Sequence, residues 1–437
     1  MKFDKPMKKI AAALILFSSV FCAAAQENDR SEVEKSGFSF GAFPILNYER
    51  ESGVQLGAFA NVYDFGKKGA YPNPRQQIYA EASWFTRGSQ RYVLSYDNRF
   101  LIPGIRFTFT ARYSDEKALD FYGFGGYASY LDNQLPAAYY RMGRMMPSGR
   151  LDFTGRITDR LSWKFGYHFN YFILNEYESE KLAGLPYGKT LFAWYKDLGF
   201  IEADEAKGGM TSAWRAGLSY DSRDAESMPS RGLWADAFLE WAPKWMGTNK
   251  PYGRYYAVLR QYFPLAGDEL VFAYRANIQG FLGKPGFYAL ACEPVLGGPG
   301  YDRDGFGGYH TIRGLLRNRV QGQALCYFNT ELRWKFYSTR VLNQNVAFGA
   351  NVFFDGGRVL KDYVDVHVDP AWTATWPDKF PSQLSAGGKE HFHLSAGAGL
   401  RCILNRNFII AVDYGQAFNR QDNRPGGALY INTGFLF

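Results

Sequence analysis

Strict alternation of apolar and polar residues recurs along this chain, and it constrains the fold more than any other feature of the sequence. From Leu161 to Tyr171 every second residue is apolar or aromatic, and small or polar residues stand between them. The same alternation returns from Leu270 to Ile278 and from Phe392 to Leu400. A period of two sends successive side chains to opposite faces of a β-strand, whereas a helix repeats about every 3.6 residues. The sequence therefore predicts an all-β fold made of two-faced strands.

Aromatic residues decide what kind of β protein these strands form. They make up 18% of the 437 residues, which is far too much apolar surface for a disordered chain. On the apolar faces they lie toward the strand ends, with small or aliphatic residues between them, as in the aromatic girdles of a membrane barrel. After the amino-terminal run, no stretch holds the roughly 20 continuous apolar residues of a membrane-spanning helix. We therefore expect a single transmembrane antiparallel β-barrel rather than several soluble β domains.

The number and spacing of the strands support a barrel. Sixteen candidate strands can be counted, and an even number suits a closed bacterial barrel. The connections after strands 5, 7, 11 and 13 are long, whereas those after strands 4, 6 and 10 are short turns. Outer-membrane barrels have this asymmetry between outer loops and periplasmic turns. The predicted strands begin near residues 38, 53, 76, 90, 105, 139, 160, 211, 232, 254, 270, 321, 343, 390, 406 and 428.

The amino terminus has the pattern of a secretory signal peptide. Four lysines within the first nine residues precede an apolar run over residues 10–21, and Ala23-Ala24-Ala25 provides a small-residue cleavage site. We predict a signal peptide over residues 1–25, a short periplasmic lead over 26–37 and an outer-membrane β-barrel over 38–437. This organisation predicts a location in the outer membrane of a Gram-negative bacterium.

The first and last strands would meet at a lateral seam. In the last predicted strand, Phe435 and Phe437 share one face with Ile431, and such an aromatic end resembles the recognition signal of bacterial outer-membrane proteins. In the first strand Gly41 lacks a side chain and Pro44 lacks a backbone N–H, so we expect weak or shortened pairing across the seam. The alternative is that Pro44 only ends the first strand at its loop.

Charge, cysteine content and histidines bear on other classes of function. The formal net charge is +8, but no run of Lys and Arg could track a nucleic-acid backbone, so we expect no nucleic acid as a partner. Cleavage of the signal peptide would leave three cysteines, Cys292, Cys326 and Cys402, and such an odd, sparse set does not indicate a disulfide framework. His391 and His393 share an inward face with Ser395, but no acidic residue that would orient them is evident, which leaves a hydrolase as a distant alternative. We expect no enzyme, no metal site and no cofactor.

The most informative stretch of the sequence lies in the longest connection. It contains a glycine pair, Gly307-Gly308, and then Ile312-Arg313-Gly314. This pattern resembles the (V/I/L)-R-G-(F/Y/L) motif of loop six in the BamA/TamA-like outer-membrane assembly-factor family, also called the bacterial surface antigen family. Three further segments resemble elements of that family in the same order: Pro44 to Gly53, Asp221 to Gly232, and Phe353 to Gly357.

Arg313 has two candidate partners if loop six folds into the lumen. Alternation directs Glu331 of the twelfth predicted strand and Asp355 of the thirteenth inward. A charge facing lipid would cost roughly 2 to 4 kcal/mol at mid-membrane, which favours this assignment. We predict that Arg313 pairs with Asp355, Glu331 or both, and that the glycines of the motif allow the backbone to turn tightly. The resemblance implies the same latch, which either only stabilises the barrel or moves during its work.

The resemblance also implies a function in insertion or translocation of proteins at the outer membrane. In the family, the seam is the lateral gate through which client strands are thought to pass. Relatives with assembly roles carry periplasmic POTRA domains, and residues 26–37 are too few for one, so we expect a form without POTRA domains that works with a separate periplasmic or outer-membrane partner. The other expected partners are outer-membrane lipid, lipopolysaccharide and β-rich client proteins. The alternative is a structural or pore-forming barrel subunit without insertase activity.

Overall fold

A single large sheet dominates the molecule. The structure, a computed structural model, describes residues 36–49, 53–67, 74–185, 188–294, 303–341, 344–366, 387–404, 408–433 and 435–437. The predicted signal peptide and most of the predicted lead lie outside these residues. Sixteen antiparallel strands follow one another through the sheet in chain order, and a separate two-stranded ribbon stands apart. The predicted fold class is therefore confirmed. No helix in the described ranges is long and apolar enough to cross a membrane.

Every predicted strand begins within three residues of an observed one. The alternation located the strands because each one separates a polar face from an apolar face. The strands are β1 (Phe38–Glu49), β2 (Gly53–Asp64), β3 (Gln76–Phe85), β4 (Gln90–Ile102), β5 (Ile105–Asp120), β6 (Arg141–Arg156), β7 (Leu161–Glu176), β8 (Gly208–Asp221), β9 (Gly232–Ala242), β10 (Tyr252–Ala266), β11 (Leu270–Leu282), β12 (Cys292–Glu293), β13 (Arg303–Asp304), β14 (Ala324–Val341), β15 (Gln344–Lys361), β16 (His393–Leu404), β17 (Phe408–Ala417) and β18 (Ala428–Thr433). Among the described residues, the connections contain one α-helix, α1 (Leu191–Asp197), and short 3-10 helices at Ala137–Tyr140, Glu180–Leu182, Lys244–Met246 and Phe287–Ala289.

The two faces of the sheet have opposite chemistry. On β14, Leu332 and Trp334 are exposed on the outer face, whereas Asn329 and Glu331 are buried on the inner face. The outer face carries most of the large exposed aromatic and aliphatic side chains, and the inner face carries buried charges. This arrangement is typical of a barrel that presents an apolar band to lipid and a polar interior to its lumen.

The two ends of the barrel differ in their connections. The connections after β5, β7, β11 and β15 are long, and they define the long-loop end of the barrel. Aromatic side chains from three of these loops pack edge to face there: Phe121 and Phe124 contact Tyr195 of α1 and Phe287. The resulting buried cluster extends to Leu316, so the loops form a packed cap over the lumen. The opposite end, which has short connections, is the short-turn end.

The sheet curls until its two edges lie near each other, but within the described residues the edges do not pair. The ring of Phe59 on β2 lies 6.1 Å from that of Phe408 on β17, centroid to centroid. In the described ranges, no ladder joins β1 to β18. Pro44 lies within β1, opposite Ala58 of β2, and the β1–β2 ladder continues beyond it to Glu49. The interpretation that Pro44 only ends the first strand is therefore wrong.

The carboxy-terminal residues do not lie where the sequence predicted them. The alternation placed Phe435 and Phe437 on one face of the last strand with Ile431, at the seam, but β18 ends at Thr433. Phe437 is buried instead with Tyr262, Val271 and Ala273 on the inner face of β10 and β11. Arg333 of β14 contacts this end of the chain, because its guanidinium lies over the rings of both Phe435 and Phe437 and donates to the Phe437 backbone oxygen at 2.8 Å.

Candidate functional site

Loop six, the connection between β11 and β14 (residues 283–323), folds back into the barrel. Four of its apolar residues, Phe306, Ile312, Leu315 and Val320, are almost fully buried. They pack against Leu325 and Tyr327 of β14, Val359 of β15 and Ala417 of β17. Loop six therefore has a hydrophobic core inside the barrel, and this core holds the backbone of the Arg313 segment in place.

Arg313 lies between the two predicted carboxylates. Its Nε and Nη2 donate to Asp355 at 2.9 and 3.0 Å, and its Nη1 donates to Glu331 at 2.5 Å. Its backbone N–H also donates to Asp355 at 3.1 Å, and its guanidinium stacks on the Phe353 ring at 3.6 Å. The side chains of Arg313, Glu331 and Asp355 have no exposed surface. We call these three residues the latch triad.

The charges of the latch triad are balanced by a second arginine. One guanidinium between two carboxylates would leave a net negative charge in a buried site. Arg333 supplies the second positive charge, because its Nε donates to the second oxygen of Glu331 at 2.7 Å. Removing one member of such a buried, paired group strands the other charges, which typically costs about 3 to 5 kcal/mol. The triad therefore holds loop six firmly against β14 and β15.

Glycines are required beside the triad because loop six lies very close to the barrel strands there. Gly307, Gly308 and Gly314 all have positive φ. A Cβ on Gly314 would lie 3.0 Å from the backbone of Gln416 and from Ser395. On β15, a Cβ on Gly357 would lie 2.3 Å from the ring of Phe306. These glycines let loop six lie directly against the barrel wall.

Loop six is also fastened to the other outer loops by a residue that the sequence did not single out. Arg319 is fully buried, and its guanidinium donates to three backbone carbonyls: Gln421 at 2.6 Å, Ser129 at 2.7 Å and Gly126 at 3.3 Å. These acceptors belong to the β5–β6 and β17–β18 loops. Because loops have no period, nothing in the sequence distinguished Arg319 from a solvated arginine.

The seam lies close to one end of loop six. The Gly314 N–H donates to the hydroxyl of Tyr430 on β18 at 3.0 Å, and the Asn423 side chain donates to the Gly314 carbonyl at 2.5 Å. Gly41 and Pro44 lie on β1, at the other edge of the seam. The loop-six residues thus reach β18 directly, whereas the predicted seam residues Phe435 and Phe437 lie in the lumen.

The histidine cluster differs from the sequence prediction. His393 and Ser395 are buried, but His391 is exposed. Contrary to the prediction, His393 has acidic neighbours, since its Nδ1 lies 2.5 Å from Asp422 and its Nε2 lies 3.3 Å from Glu390. The Tyr127 ring stacks on both histidines. Within the described residues, the cluster joins three outer loops, and no hydroxyl is hydrogen-bonded to His393 as a nucleophile would be.

Comparisons with known proteins agree with this architecture. The model of the Omp85 superfamily domain matches residues 76–437. In a solved structure of BamA from Haemophilus ducreyi lacking POTRA domains 1–3, the match covers 92% of this chain and 70% of that chain, with 15% identity and a TM-score of 0.53. CdiB from Acinetobacter baumannii matches with 13% identity and a TM-score of 0.44, covering 91% of this chain and 59% of that chain. The comparison with curated protein sequences gave no match.

The family match covers most of the chain, including loop six, the latch triad and the last strand. The likeness to BamA supports the same fold at low identity. Members of this family are β-barrel proteins of the Gram-negative outer membrane, which agrees with the apolar outer face and the polar lumen. The chain belongs to the Omp85 superfamily.

Proposed function

We propose that this protein is an outer-membrane barrel that assists the insertion or translocation of other proteins at that membrane. The proposal rests on a contrast within one Omp85 barrel: buried ion pairs hold loop six, whereas the described residues of the two seam strands do not pair with each other. The latch triad holds loop six against β14 and β15. The β1 and β18 edges carry no ladder between them in the described ranges. Unpaired strand edges offer backbone N–H and C=O groups to a strand of another chain.

In this proposal, a client strand pairs with the free edge at the seam, while loop six keeps the rest of the barrel closed. The described residues present no glycine-rich phosphate loop, so we assign the driving force to strand exchange and client folding. The clients are β-rich proteins, and outer-membrane lipid and lipopolysaccharide surround the barrel. We further propose that a separate periplasmic or outer-membrane protein delivers the clients to the seam.

A cross-linked seam tests the proposal. In a background with Cys292, Cys326 and Cys402 replaced by serine, cysteine pairs are scanned between β1 and β18, for example Ala42 with Ile431. Oxidised protein in liposomes is then given a urea-denatured outer-membrane barrel as client, and the folded client is measured by its heat-modifiable gel mobility. We expect the oxidised seam pairs to abolish assisted folding and reduction to restore it.

The control for this experiment is a disulfide within an existing ladder. Ala42 and Ala60 are direct partners of β1 and β2, so a cysteine pair there should cross-link without affecting the seam. The proposal fails if an oxidised seam pair folds the client as well as the reduced protein does. Cross-linked pull-down from membranes tests the partner, which we expect to be a periplasmic or outer-membrane protein.

The second candidate function is a structural or pore-forming barrel without insertase activity. The packed cap at the long-loop end and the buried loop six argue against a wide passive pore. Conductance in planar bilayers separates the two candidates. We expect low, brief conductance from the intact protein, and a large steady conductance would favour the pore.

A further inference from the structure

His393 lies where several outer loops meet, at the long-loop end of the barrel. It is the first residue of β16, and its side chain is fully buried. Its Nδ1 lies 2.5 Å from Asp422 of the β17–β18 loop, and its Nε2 lies 3.3 Å from Glu390 of the β15–β16 loop. The Tyr127 ring of the β5–β6 loop stacks on it at 4.1 Å, and the Phe306 ring of loop six meets it edge to face at 6.4 Å. One imidazole thus contacts four loops.

The two carboxylates beside this ring are bonded to the neighbouring loops in turn. Asp422 accepts from the Tyr127 hydroxyl at 2.6 Å. Glu390 accepts from the backbone N–H of Tyr127 at 3.0 Å and from that of Val359 at 2.9 Å. The backbone carbonyl of Asp422 also accepts from the N–H of Leu316, which belongs to the packed cap, at 2.9 Å. A change at the imidazole therefore reaches the cap through both carboxylates.

The backbone of the β5–β6 loop covers the contact between His393 and Glu390. A Cβ on Gly126 would lie 2.5 Å from Nε2 of His393 and 2.1 Å from a carboxylate oxygen of Glu390. The side chains of His393 and Asp422 have no exposed surface. Charges that are shielded from water in this way interact more strongly than charges at the surface.

Only a protonated imidazole can donate to both carboxylates. A neutral ring keeps one N–H, and its other nitrogen is an acceptor. If that N–H stays with Asp422, the lone pair of Nε2 faces the carboxylate of Glu390, and the two acceptors repel each other. Burial opposes ionisation of Glu390, but His393 and the two backbone N–H groups outweigh it and hold the pKa of this carboxyl below its ordinary value. The geometry therefore favours an imidazolium between two carboxylates.

Other ionisable groups lie around this contact. Burial raises the pKa of the Tyr127 hydroxyl, which therefore stays protonated near neutral pH. The guanidinium of Arg319 adds a fixed positive charge on the β5–β6 loop side. Burial and the charge of Glu390 raise the pKa of Asp362. The second histidine, His391, is exposed and stacks on the same Tyr127 ring.

We propose that His393 is a pH-dependent clasp, which holds the outer loops together while its ring carries a proton. When the ring loses that proton, Glu390 is repelled and the β15–β16 loop separates from the β5–β6 loop. The closed form binds the proton more tightly than the open form. The ratio of closed to open molecules should therefore fall as the pH rises above about 6.5, by up to about tenfold per pH unit. The clasp does not depend on the assembly role, because its chemistry comes from the loops alone.

Distances between spin labels on the two loops test the clasp. The labels are attached through Gln134→Cys in the β5–β6 loop and Lys389→Cys in the β15–β16 loop, in the background without Cys292, Cys326 and Cys402. Both positions are exposed. Double electron–electron resonance is measured on the barrel in detergent, frozen at a series of values from about pH 6 to about pH 9, which brackets the titration of histidine. We expect one short distance in the most acidic sample and a growing population of longer distances as the pH rises.

Two variants separate the clasp from a merely structural contact. Glu390→Gln replaces the repelled carboxylate with an amide whose nitrogen can donate to a neutral ring, so we expect the distances to lose their pH dependence. Its matched control is His391→Gln, which removes the exposed histidine and should keep the response of the parent. The proposal is overturned if the parent gives the same distances at every pH, if Glu390→Gln keeps the response of the parent, or if His391→Gln loses it.

Discussion

The wall behind loop six, which is formed by β14 and β15, and the seam between β1 and β18 differ in how firmly their strands are held. At the wall, β14 and β15 pair along almost their whole length, and the latch triad is buried beside them. At the seam, the described residues form no ladder, β18 has only six residues, and Pro44 removes a donor from β1. Buried charge and strand pairing reinforce each other between β14 and β15, whereas the described residues show no ladder between β1 and β18, although a buried Arg401–Asp413 ion pair lies on the nearby strands β16 and β17. We therefore expect the barrel to open at the seam.

The largest expected effect on stability comes from removing Arg313, the central residue of the latch triad. Arg313→Ala removes the cation paired with buried Asp355 and leaves Glu331 with Arg333 alone, so we expect the free energy of unfolding to fall by about 3 to 5 kcal/mol. Asp355→Ala should act in the same direction. The measurement is the loss of heat-modifiable mobility against urea concentration.

The control for Arg313 is Arg231→Ala in the turn between β8 and β9 (residues 222–231, here called the strap), where the side chain is 73% exposed. Surface changes of this kind usually alter stability by about 0.5 kcal/mol or less. If Arg313→Ala unfolds at the same urea concentration as the parent, buried charge does not distinguish the wall from the seam.

A smaller effect is expected where loop six contacts the barrel beside the last strand. Gly314 has a φ of +91°, and a Cβ there would crowd Gln416 and Ser395. Gly314→Ala should cost about 1 to 3 kcal/mol through backbone strain, measured by the same urea titration. Gly388→Ala is the matched control, because a Cβ at that position meets nothing within 4 Å. Equal stability of the two variants would contradict the close fit of loop six.

The strap should respond weakly to acid. Burial opposes ionisation of Glu226, but Arg99 and Arg106 outweigh it and hold the pKa of this carboxyl below its ordinary value of 4.5. A lowered pKa means that the ion pairs stabilise the strap at neutral pH and are lost as the pH falls through that pKa. The carboxyl is partly exposed, so the effect is about 1 kcal/mol or less. We expect residues 222–231 to lose protection against hydrogen exchange in acid, after each rate is corrected for the intrinsic exchange rate at that pH, and we expect no such loss in Glu226→Gln.

The smallest effect is expected at the seam itself. Pro44→Ala restores a backbone N–H on β1 without removing any buried contact, because Pro44 is exposed. A new hydrogen bond across the seam would add about 0.5 kcal/mol to stability. The expected result is a slightly higher urea midpoint and slower assisted folding of a client. A lower midpoint would mean that the proline is needed for the geometry of β1.

The positions of the strands and the direction of many side chains could be predicted from the alternation of polar and apolar residues. The strand starts and the inward positions of Glu331 and Asp355 follow from a period of two, because one face of each strand must avoid lipid. The inward turn of Phe435 and Phe437 could not be predicted, since Arg333, which contacts this end of the chain, lies about a hundred residues earlier. The same holds for His393 and Asp422, which lie in different parts of the chain and meet only after the outer loops have packed.

Hydrogen–deuterium exchange of the whole barrel in detergent, read by mass spectrometry of peptides, tests the central claim most directly. Exchange reports local opening, and strands with a free edge should open more often than strands paired on both sides. We predict that peptides from β1 and β18 exchange much faster than peptides from β14 and β15, and that Arg313→Ala reduces the difference by speeding exchange at the wall. Equal protection of the seam and the wall in the parent protein would contradict the account.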